Sequence, residues 1–248
     1  MKPLDVSPYR NIVILTGAGV SAASGLGTYR GPGGLWEQAD IARIAHADNL
    51  PGTLPDLWRL YRERRRRAIQ AGPNAAHRAL AAFEKHWRGA DGRSITLVTQ
   101  NVDGLHGRAG SQNVIEMHGS AFRTRCTNPR CSAPPFADEA LYDEVPTCAE
   151  CGNALRPDVV LFGEAIPARE SRLINRAMRE VDLFLSAGTS GVVYPAAGLV
   201  QAAAHAGART ILVNLEPMTV PNPAFQEEYL GPAEELLPAL LGVPPNEH

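Results

Sequence analysis

Five short runs of apolar and β-branched residues set the strongest limit on what this chain can fold into. They lie at Ile12–Thr16, Ser94–Thr99, Asn113–Met117, Asp182–Ser186 and Thr210–Leu215. Most of these runs are nearly continuous in apolar residues, whereas a strand with one face in water alternates apolar and polar side chains. The runs therefore predict strands that are buried on both faces, which is typical of a parallel sheet covered by helices on both sides.

Helical segments are predicted between these strands, at about 54 to 71, 75 to 88, 168 to 180, 195 to 206 and 232 to 241. Helices in those places supply the right-handed crossovers that join parallel strands. The predicted fold class is α/β, with a Rossmann-like doubly wound parallel sheet. The length of 248 residues fits one such domain that carries a small inserted module.

All four cysteines lie in one proline-rich segment, from Cys126 to Cys151, that breaks the alternation of strands and helices. Four residues separate Cys126 from Cys131, sixteen separate Cys131 from Cys148, and two separate Cys148 from Cys151. Two such pairs predict a zinc ribbon in a smaller lobe, where four thiolates fill a tetrahedral shell and leave no position for water. The predicted zinc is therefore structural. A redox pair at Cys148 and Cys151, or a nucleic-acid-binding ribbon, are the alternatives.

Composition excludes several other classes of protein. Hydrophobic residues make up 44% of the chain and charged residues 20%, which excludes general disorder. With 24 basic and 26 acidic side chains the formal net charge is -2, so the chain lacks the overall charge of a nucleic-acid binder. No apolar run is long enough to cross a membrane and no signal sequence precedes the first strand. We expect a cytoplasmic monomer that binds neither nucleic acid nor membrane.

The first predicted strand ends in Gly17-Ala18-Gly19, followed by a helix candidate that begins near Val20. Ligands of an open α/β sheet lie beyond the carboxyl ends of its strands, and glycines there let the backbone approach a phosphate at a helix N-terminus. The dinucleotide fingerprint also permits a small residue such as Ala22 in place of its third glycine. This turn is a candidate nucleotide site; a turn that only joins the strand to the helix is the alternative.

Polar side chains follow the other predicted strands. Gln100, Asn101 and Asp103 follow the second strand, and His118 follows the third, where the next residue, Gly119, is expected to leave it exposed. Gly188-Thr189-Ser190 stands at the end of the fourth strand, and the fifth strand ends in Asn214-Leu215-Glu216. Because parallel strands end at the same edge of a sheet, all of these groups are predicted to meet there. His118 suits a base near neutral pH, with a purely structural histidine as the alternative.

Together these motifs resemble those of the sirtuins, the NAD-dependent protein lysine deacylases, over nearly the whole chain. The motifs occur in that family's order: Gly17 to Ser21, Ser24-Gly25, Thr28 to Gly31, Thr99 to Asp103, His118-Gly119, the two cysteine pairs, Val160 to Glu164, Gly188 to Ser190 and Asn214 to Glu216. The chain departs from the family at Tyr29, where the usual residue is Phe. That hydroxyl bears on how the nicotinamide pocket closes and leaves the implied fold and reaction unchanged.

The resemblance implies a single catalytic unit with one cleft. NAD, a co-substrate, is expected between a large domain, formed by 8–30, 73–122 and 155–248, and a small lobe formed by the insertions 31–72 and 123–154. Acyl-lysine side chains of proteins are expected to enter the cleft from its other side. The implied products are nicotinamide, O-acyl-ADP-ribose and free lysine, without hydride transfer.

The same resemblance assigns roles to single residues. His118 is the implied proton acceptor and Asn101 the second catalytic residue; Asn101 and Asp103 hold the nicotinamide carboxamide and Gln100 contacts the ribose. The other implied cofactor contacts are Gly17, Ala18, Gly19, Ser21, Thr28, Tyr29, Arg30, Trp36, Val102, Gly188, Thr189, Ser190, Asn214, Leu215, Glu216 and Ala233. One structural zinc is implied on Cys126, Cys131, Cys148 and Cys151.

Substrate contacts are implied at two places. Val160, Leu161, Phe162 and Gly163 are expected to pair with the substrate peptide as an added strand. Tyr61 and Arg64 lie three residues apart on one face of a predicted helix, where a phenol and a guanidinium can grip one carboxylate. The pair resembles that of the sirtuin subgroup that removes succinyl, malonyl and glutaryl groups. The alternative for this helix is a solvated arginine-rich face.

Three other functions stay open from the sequence. A hydride-transferring NAD dehydrogenase needs the same glycine turn but neither a peptide groove nor a four-cysteine lobe. A zinc-ribbon nucleic-acid-binding module is the second. Mono-ADP-ribosyl transfer or NAD hydrolysis on the same scaffold is the third.

Overall fold

The computed structural model describes residues 2–28, 39–87, 92–191 and 193–243. Its main sheet has six parallel strands in the order β3-β2-β1-β7-β8-β9. These strands are β1 (Asn11–Thr16), β2 (Ser94–Thr99), β3 (Val114–Glu116), β7 (Leu183–Ala187), β8 (Arg209–Asn214) and β9 (Glu227–Leu230). The chain moves outward from β1 in one direction and later from β7 in the other, so the switch point lies between these two strands. The predicted doubly wound parallel sheet is confirmed.

Helices cover both faces of this sheet because its strands carry apolar side chains on both. They are α3 (Ala75–Trp87) and α7 (Ala233–Leu241) on one face, and α5 (Ala168–Arg179) and α6 (Leu199–His205) on the other. Ile12 and Ile14 of β1 face the first pair, whereas Val13 and Leu15 face the second. This alternation follows from the two-residue period of a strand. None of the helices described here is both long and apolar enough to span a membrane.

The structure differs from the prediction at two elements. The helix expected after Gly17-Ala18-Gly19 is a 3-10 helix, Ala18–Ser24, which ends at Gly25 in the left-handed conformation. Strand β9 was not predicted from the sequence because Glu227 and Glu228 interrupt its apolar pattern. It lies at the edge of the sheet, where charged side chains are tolerated and discourage further pairing.

The small lobe contains the short helix α1 (Ala39–Ile44), the long helix α2 (Leu50–Gln70) and a three-stranded antiparallel sheet. The strands of this sheet are β4 (Gly119–Cys126), β5 (Phe136–Ala137) and β6 (Leu155–Val159). A short helix, α4 (Leu105–Arg108), follows β2 in the large domain. Strands β4 and β6 extend the small sheet beyond the expected segment 123–154 at both ends. The small sheet therefore begins beside His118 and ends at the expected peptide-binding loop, while the domain boundaries stay a prediction.

Arg65 fastens α2 to the small sheet from within the lobe. Its side chain is fully buried and donates to the carbonyls of Ala121 and Ala140, both at 2.6 Å. It also donates to Thr124 Oγ1 at 2.9 Å and pairs with Asp138 at 3.1 Å. Buried charges are tolerated only when they are paired and hydrogen-bonded, as here. This anchor sets which face of α2 turns toward the cleft.

Replacing this anchor is expected to destabilise the protein strongly. Arg65→Met leaves Asp138 buried without its cation, which costs about 3 to 5 kcal/mol when one partner of a buried pair is removed. Arg66→Met is the matched control, because Arg66 lies on the exposed side of the same helix and, among the described residues, forms an ion pair with Glu63 alone. Its expected effect is within about 0.5 kcal/mol. Urea unfolding measures both, and equal losses would show that Arg65 is no anchor.

Candidate active site

A cavity of about 1000 Å³ lies at the carboxyl ends of β1, β2, β7 and β8, bounded on its other side by the small lobe. Most residues expected to bind NAD line it: Gly17, Ala18, Gly19, Thr28, Gln100, Asn101, Val102, Gly188, Thr189, Ser190, Asn214, Leu215, Glu216 and Ala233. His118 lines the cavity as well, as do the expected substrate residues Tyr61, Arg64, Val160, Leu161, Phe162 and Gly163. Tyr29, Arg30 and Trp36 lie outside the described residues.

Glycines form the floor of the cavity because two strand ends touch there. The amide of Gly19 donates to the Gly188 carbonyl at 2.9 Å, and that of Gly17 donates to the Ala187 carbonyl at 3.0 Å. A β-carbon on Gly17 meets the Gly188 oxygen at 2.6 Å, and one on Gly188 meets the Val20 nitrogen at 2.5 Å. Gly188 also has φ +59°, a conformation that favours glycine. Backbone therefore reaches the cavity where a side chain has no room.

A buried hydrogen-bond chain holds the amide of Asn101 in one orientation. The Asn101 nitrogen donates to the Gly17 carbonyl at 3.0 Å and to Ser21 Oγ at 3.1 Å, and the Ser21 hydroxyl donates to Asp103 at 2.7 Å. Burial raises the pKa of Asp103. Ser21 and Asp103 thus lie behind Asn101 and are not among the described residues that line the cavity. The side-chain nitrogen of Asn101 is used in these two hydrogen bonds. Its side-chain oxygen can therefore accept a hydrogen bond from a ligand in the cavity.

Two buried histidines stand further behind this wall. His77 and His106 are stacked at a tilt with ring centres 4.8 Å apart, and His106 Nε2 lies 2.9 Å from Thr16 Oγ1. Burial lowers the pKa of His77 to about 4 and that of His106 to about 3. Both rings are therefore neutral at pH 7 and act as packing and hydrogen-bonding groups. Neither histidine follows a strand end directly, so nothing in the sequence marks them as part of the site.

His118 has the geometry of a neutral base. Its Nδ1 lies 3.2 Å from the Gln100 carbonyl oxygen, which only accepts, so Nδ1 carries the proton and Nε2 carries the lone pair. Burial lowers the pKa of His118 from its ordinary value of 6.5, partly opposed by that carbonyl. The ring is half-buried and not exposed as expected. Gly119 serves another need: with φ +78° it brings the chain against the Asp158 carbonyl, where a β-carbon does not fit.

The loop Val160–Glu164 is held in shape from both ends. The Val160 amide donates to the His118 carbonyl at 2.9 Å, and the Leu161 amide donates to the Glu164 carboxylate at 2.9 Å. That carboxylate also accepts two hydrogen bonds from buried Arg156, at 2.6 and 3.1 Å. Burial acts to raise the pKa of Glu164, but these hydrogen bonds outweigh it and hold the pKa below its ordinary value. The carboxylate therefore stays ionised and fixes the loop at neutral pH.

Tyr61 and Arg64 face the cavity from α2. An Arg64 terminal nitrogen lies 3.2 Å from the Tyr61 hydroxyl, and its guanidinium lies 5.1 Å from the centre of the Tyr61 ring. Tyr61 is buried and Arg64 is half-buried. The expected solvated face of the helix does exist, but it is formed by Arg59, Arg66 and Arg67. A cation and a phenol at the cavity wall can together hold a ligand carboxylate.

The four cysteines come together in the small lobe. Their sulfur atoms all lie within 4.8 Å of one another, with Cys126 and Cys151 3.5 Å apart and Cys131 and Cys148 3.7 Å apart. Tetrahedral Zn–S bonds place sulfurs about 3.8 Å apart, so the cluster fits zinc. Hydrogen bonds from the Asn153 backbone and side chain lower the pKa of Cys151 to about 6, which favours a thiolate at that position. At Cys131 a backbone hydrogen bond from Ala133 acts to lower the pKa, but the crowded neighbouring thiols have the opposite effect and raise the pKa to about 12.

Several lining residues were missed by sequence reasoning. They are Ala45, Ile166, Val193, Tyr194, Pro195, Pro217, Met218, Thr219, Val220, Pro232 and Glu234. Many of them follow β7 or β8 by a few residues, just beyond the polar motifs at those strand ends. Their position just after a strand end was therefore the feature of the sequence that could have identified them. Most of them are apolar loop residues, which carry no functional group that marks a binding site.

Comparison with known proteins shows which family this chain is similar to. The Sir2 family model matches residues 17–195. An NAD-dependent protein deacylase from Vibrio parahaemolyticus is 43% identical over 94% of this chain and 95% of its own. A solved complex of a Sir2 homologue with NAD has a TM-score of 0.86 at 36% identity, covering 96% of this chain and 90% of that one.

A second similar solved structure contains a peptide. It contains a Sir2 mutant with a deacetylated p53 peptide and 3'-O-acetyl ADP ribose, and it has a TM-score of 0.83 at 30% identity. It covers 97% of this chain and 96% of that one. Because the family model spans most of the chain and the relatives align over nearly its full length, this chain belongs to the Sir2 family, the sirtuins.

Proposed function

We propose that this chain is an NAD-dependent protein lysine deacylase that removes succinyl and malonyl groups and also acetyl groups. The observation that carries the proposal is one cavity that joins the strand-end glycines, Asn101, His118 and the Tyr61–Arg64 pair. Relatives named NAD-dependent protein deacylase support the NAD-dependent deacylation. The acidic acyl preference rests on Tyr61 and Arg64.

The backbone and the polar side chains that line the cavity suit NAD. Backbone of Gly17, Gly19 and Gly188 provides the close approach that a pyrophosphate needs. Asn214 and Glu216, at the end of β8, are placed to accept from ribose hydroxyls. When bound, NAD would supply nicotinamide as a leaving group and an ADP-ribosyl group that accepts the acyl group, and one water molecule would complete the balance as free lysine is released.

The chain's own groups hold and move protons around that exchange. The Asn101 oxygen, kept clear of the wall by the hydrogen bonds to Gly17 and Ser21, accepts from the nicotinamide carboxamide. His118 Nε2 takes a proton from a ribose hydroxyl, and its Nδ1 hydrogen bond to Gln100 holds the ring in the required tautomer. Because the base is neutral at pH 7, it is ready for this transfer at physiological pH.

The substrate peptide is proposed to pair with the loop Val160–Glu164. Phe162 already pairs on one side with the backbone of Ala45 and Ala47, at 2.9 Å each. A peptide that pairs beside this segment would gain main-chain hydrogen bonds that do not depend on its side chains. The acyl-lysine then enters between His118 and the Tyr61–Arg64 pair.

No feature of the described cavity favours mono-ADP-ribosyl transfer or NAD hydrolysis over deacylation. The monomeric state, the cytoplasmic location and the absence of nucleic-acid binding stay predictions from the sequence.

The base is tested first. His118→Ala is expected to fold and bind NAD but to lose deacylation by roughly two to four orders of magnitude, the usual contribution of a positioned base. In the wild-type protein, kcat/KM should fall as His118 becomes protonated. Since burial lowers its pKa, that fall should begin below pH 6.5. Near-normal turnover of the variant would remove His118 from the mechanism.

Arg64→Met tests the acyl preference. A terminal carboxylate that enters the cavity loses hydration, and a charge-assisted hydrogen bond from Arg64 restores about 1.5 to 3 kcal/mol. Succinyl-lysine turnover should therefore fall roughly 10 to 100 fold, mainly through KM, while acetyl-lysine turnover is unchanged or improved. Arg66→Met is the matched control and should alter neither substrate. Equal losses on both substrates would mean that Arg64 supports the fold or the cofactor.

Zinc is tested by metal analysis and chelation. We expect one tightly bound zinc per chain on Cys126, Cys131, Cys148 and Cys151. Its removal should unfold the small lobe and abolish activity indirectly, because binding energy in such sites is folding energy. Circular dichroism before and after chelation reports the loss of structure. Fully active protein without zinc would contradict this assignment.

A further inference from the structure

Helix α5 carries a stripe of arginines on its outer face. Arg169, Arg172, Arg176 and Arg179 are spaced by three, four and three residues, which places them on one side of an α-helix. All four are exposed, while Ile174 and Met178 of the same helix are buried against the sheet. We call this set the arginine stripe.

The stripe differs from the arginine-rich face of α2. On α2, Arg59, Arg62, Arg66 and Arg67 all form ion pairs with Asp56, Asp143 or Glu63. On α5, Arg169 pairs with its neighbour Glu170. Within the part of the chain that the structure describes, Arg172, Arg176 and Arg179 have no acidic partner. The charge of these three residues is therefore not offset by an ion pair.

The stripe starts at the mouth of the cavity. Ile166, two residues before α5, lines the cavity, and α5 follows the loop Val160–Glu164 directly. Because α5 leads to the start of β7, whose other end lies at the cavity, the helix runs from the cavity edge of the sheet to the opposite edge. Arg179 lies ten positions after Arg169 on the helix, a rise of about 15 Å. A chain leaving the peptide-binding loop can follow this path.

We propose that the arginine stripe docks an acidic segment of the substrate protein that flanks the acyl-lysine. The proposal rests on the proposed deacylase function and adds a preference for substrate sequence. Guanidinium groups bind carboxylates in a two-pronged geometry, so a row of them fits a run of Asp and Glu. Leu173, 38% exposed beside Arg172 and Arg176, adds an apolar contact. Continuity with the peptide-binding loop favours a protein segment over a nucleic acid.

The test uses the double variant Arg172→Glu/Arg176→Glu and two peptides with the same central succinyl-lysine. One peptide carries acidic residues on both flanks and the other carries neutral residues. Arg66→Glu/Arg67→Glu is the control, because it makes the same charge change on α2. The measurement is kcat/KM for each enzyme and peptide at low and at high salt.

Wild type and the α2 control are expected to have a higher kcat/KM for the acidic peptide than for the neutral one, and high salt should suppress this preference. The α5 variant is expected to lose about tenfold in kcat/KM on the acidic peptide alone. No preference in wild type, or equal losses on both peptides, overturns the proposal. Single-stranded DNA that inhibits the acidic peptide's turnover better than an unacylated acidic peptide does would assign the stripe to nucleic acid instead and also overturn it. Turnover of the neutral peptide by wild type tests the deacylase function separately.

Discussion

The close contact between the ends of β1 and β7 is the constraint on which the cavity depends. These strands are neighbours at the switch point of the sheet, and their following turns interlock through Gly17, Gly19 and Gly188. The contact leaves room only for backbone, which gives the cavity its floor. It also positions the Gly17 carbonyl that orients Asn101. The cofactor site is therefore a result of strand packing and not of side chains added to it.

The catalytic base and the peptide-binding loop are parts of one structural unit. His118 ends the turn after β3, and its carbonyl accepts from Val160 in the loop. Ion pairs continue the connection across the small sheet, from Glu116 through Arg123, Asp158, Arg125 and Glu164 to Arg156. A shift of the loop therefore strains the residues beside the base. The loop proposed to bind the peptide and the residue proposed to transfer the proton are therefore held by the same connected contacts.

The sequence predicted five of the six strands of the large sheet because these five buried strands consist of nearly continuous apolar runs. Strand ends then identified most of the cavity wall, since Gly17, Gln100 and His118 each follow such a run and Asn214 lies at the end of one. Contacts that depend on three-dimensional packing were not predictable. The anchoring of Arg65 and the contact of His77 with His106 join residues far apart in the chain, and Arg156 reaches Glu164 eight residues later only because the chain turns back between them. Each of these side chains by itself reads as an ordinary surface or core residue.

The central claim is that acyl transfer consumes NAD in this cavity without hydride transfer. Incubation of the protein with NAD and a succinylated peptide, followed by quantitation of nicotinamide, free lysine peptide and reduced nicotinamide cofactor, tests it most directly. The account predicts nicotinamide and free lysine peptide in equal amounts, no reduced cofactor, and neither product without NAD. Reduced cofactor, or nicotinamide release that is independent of the acylated peptide, would contradict it.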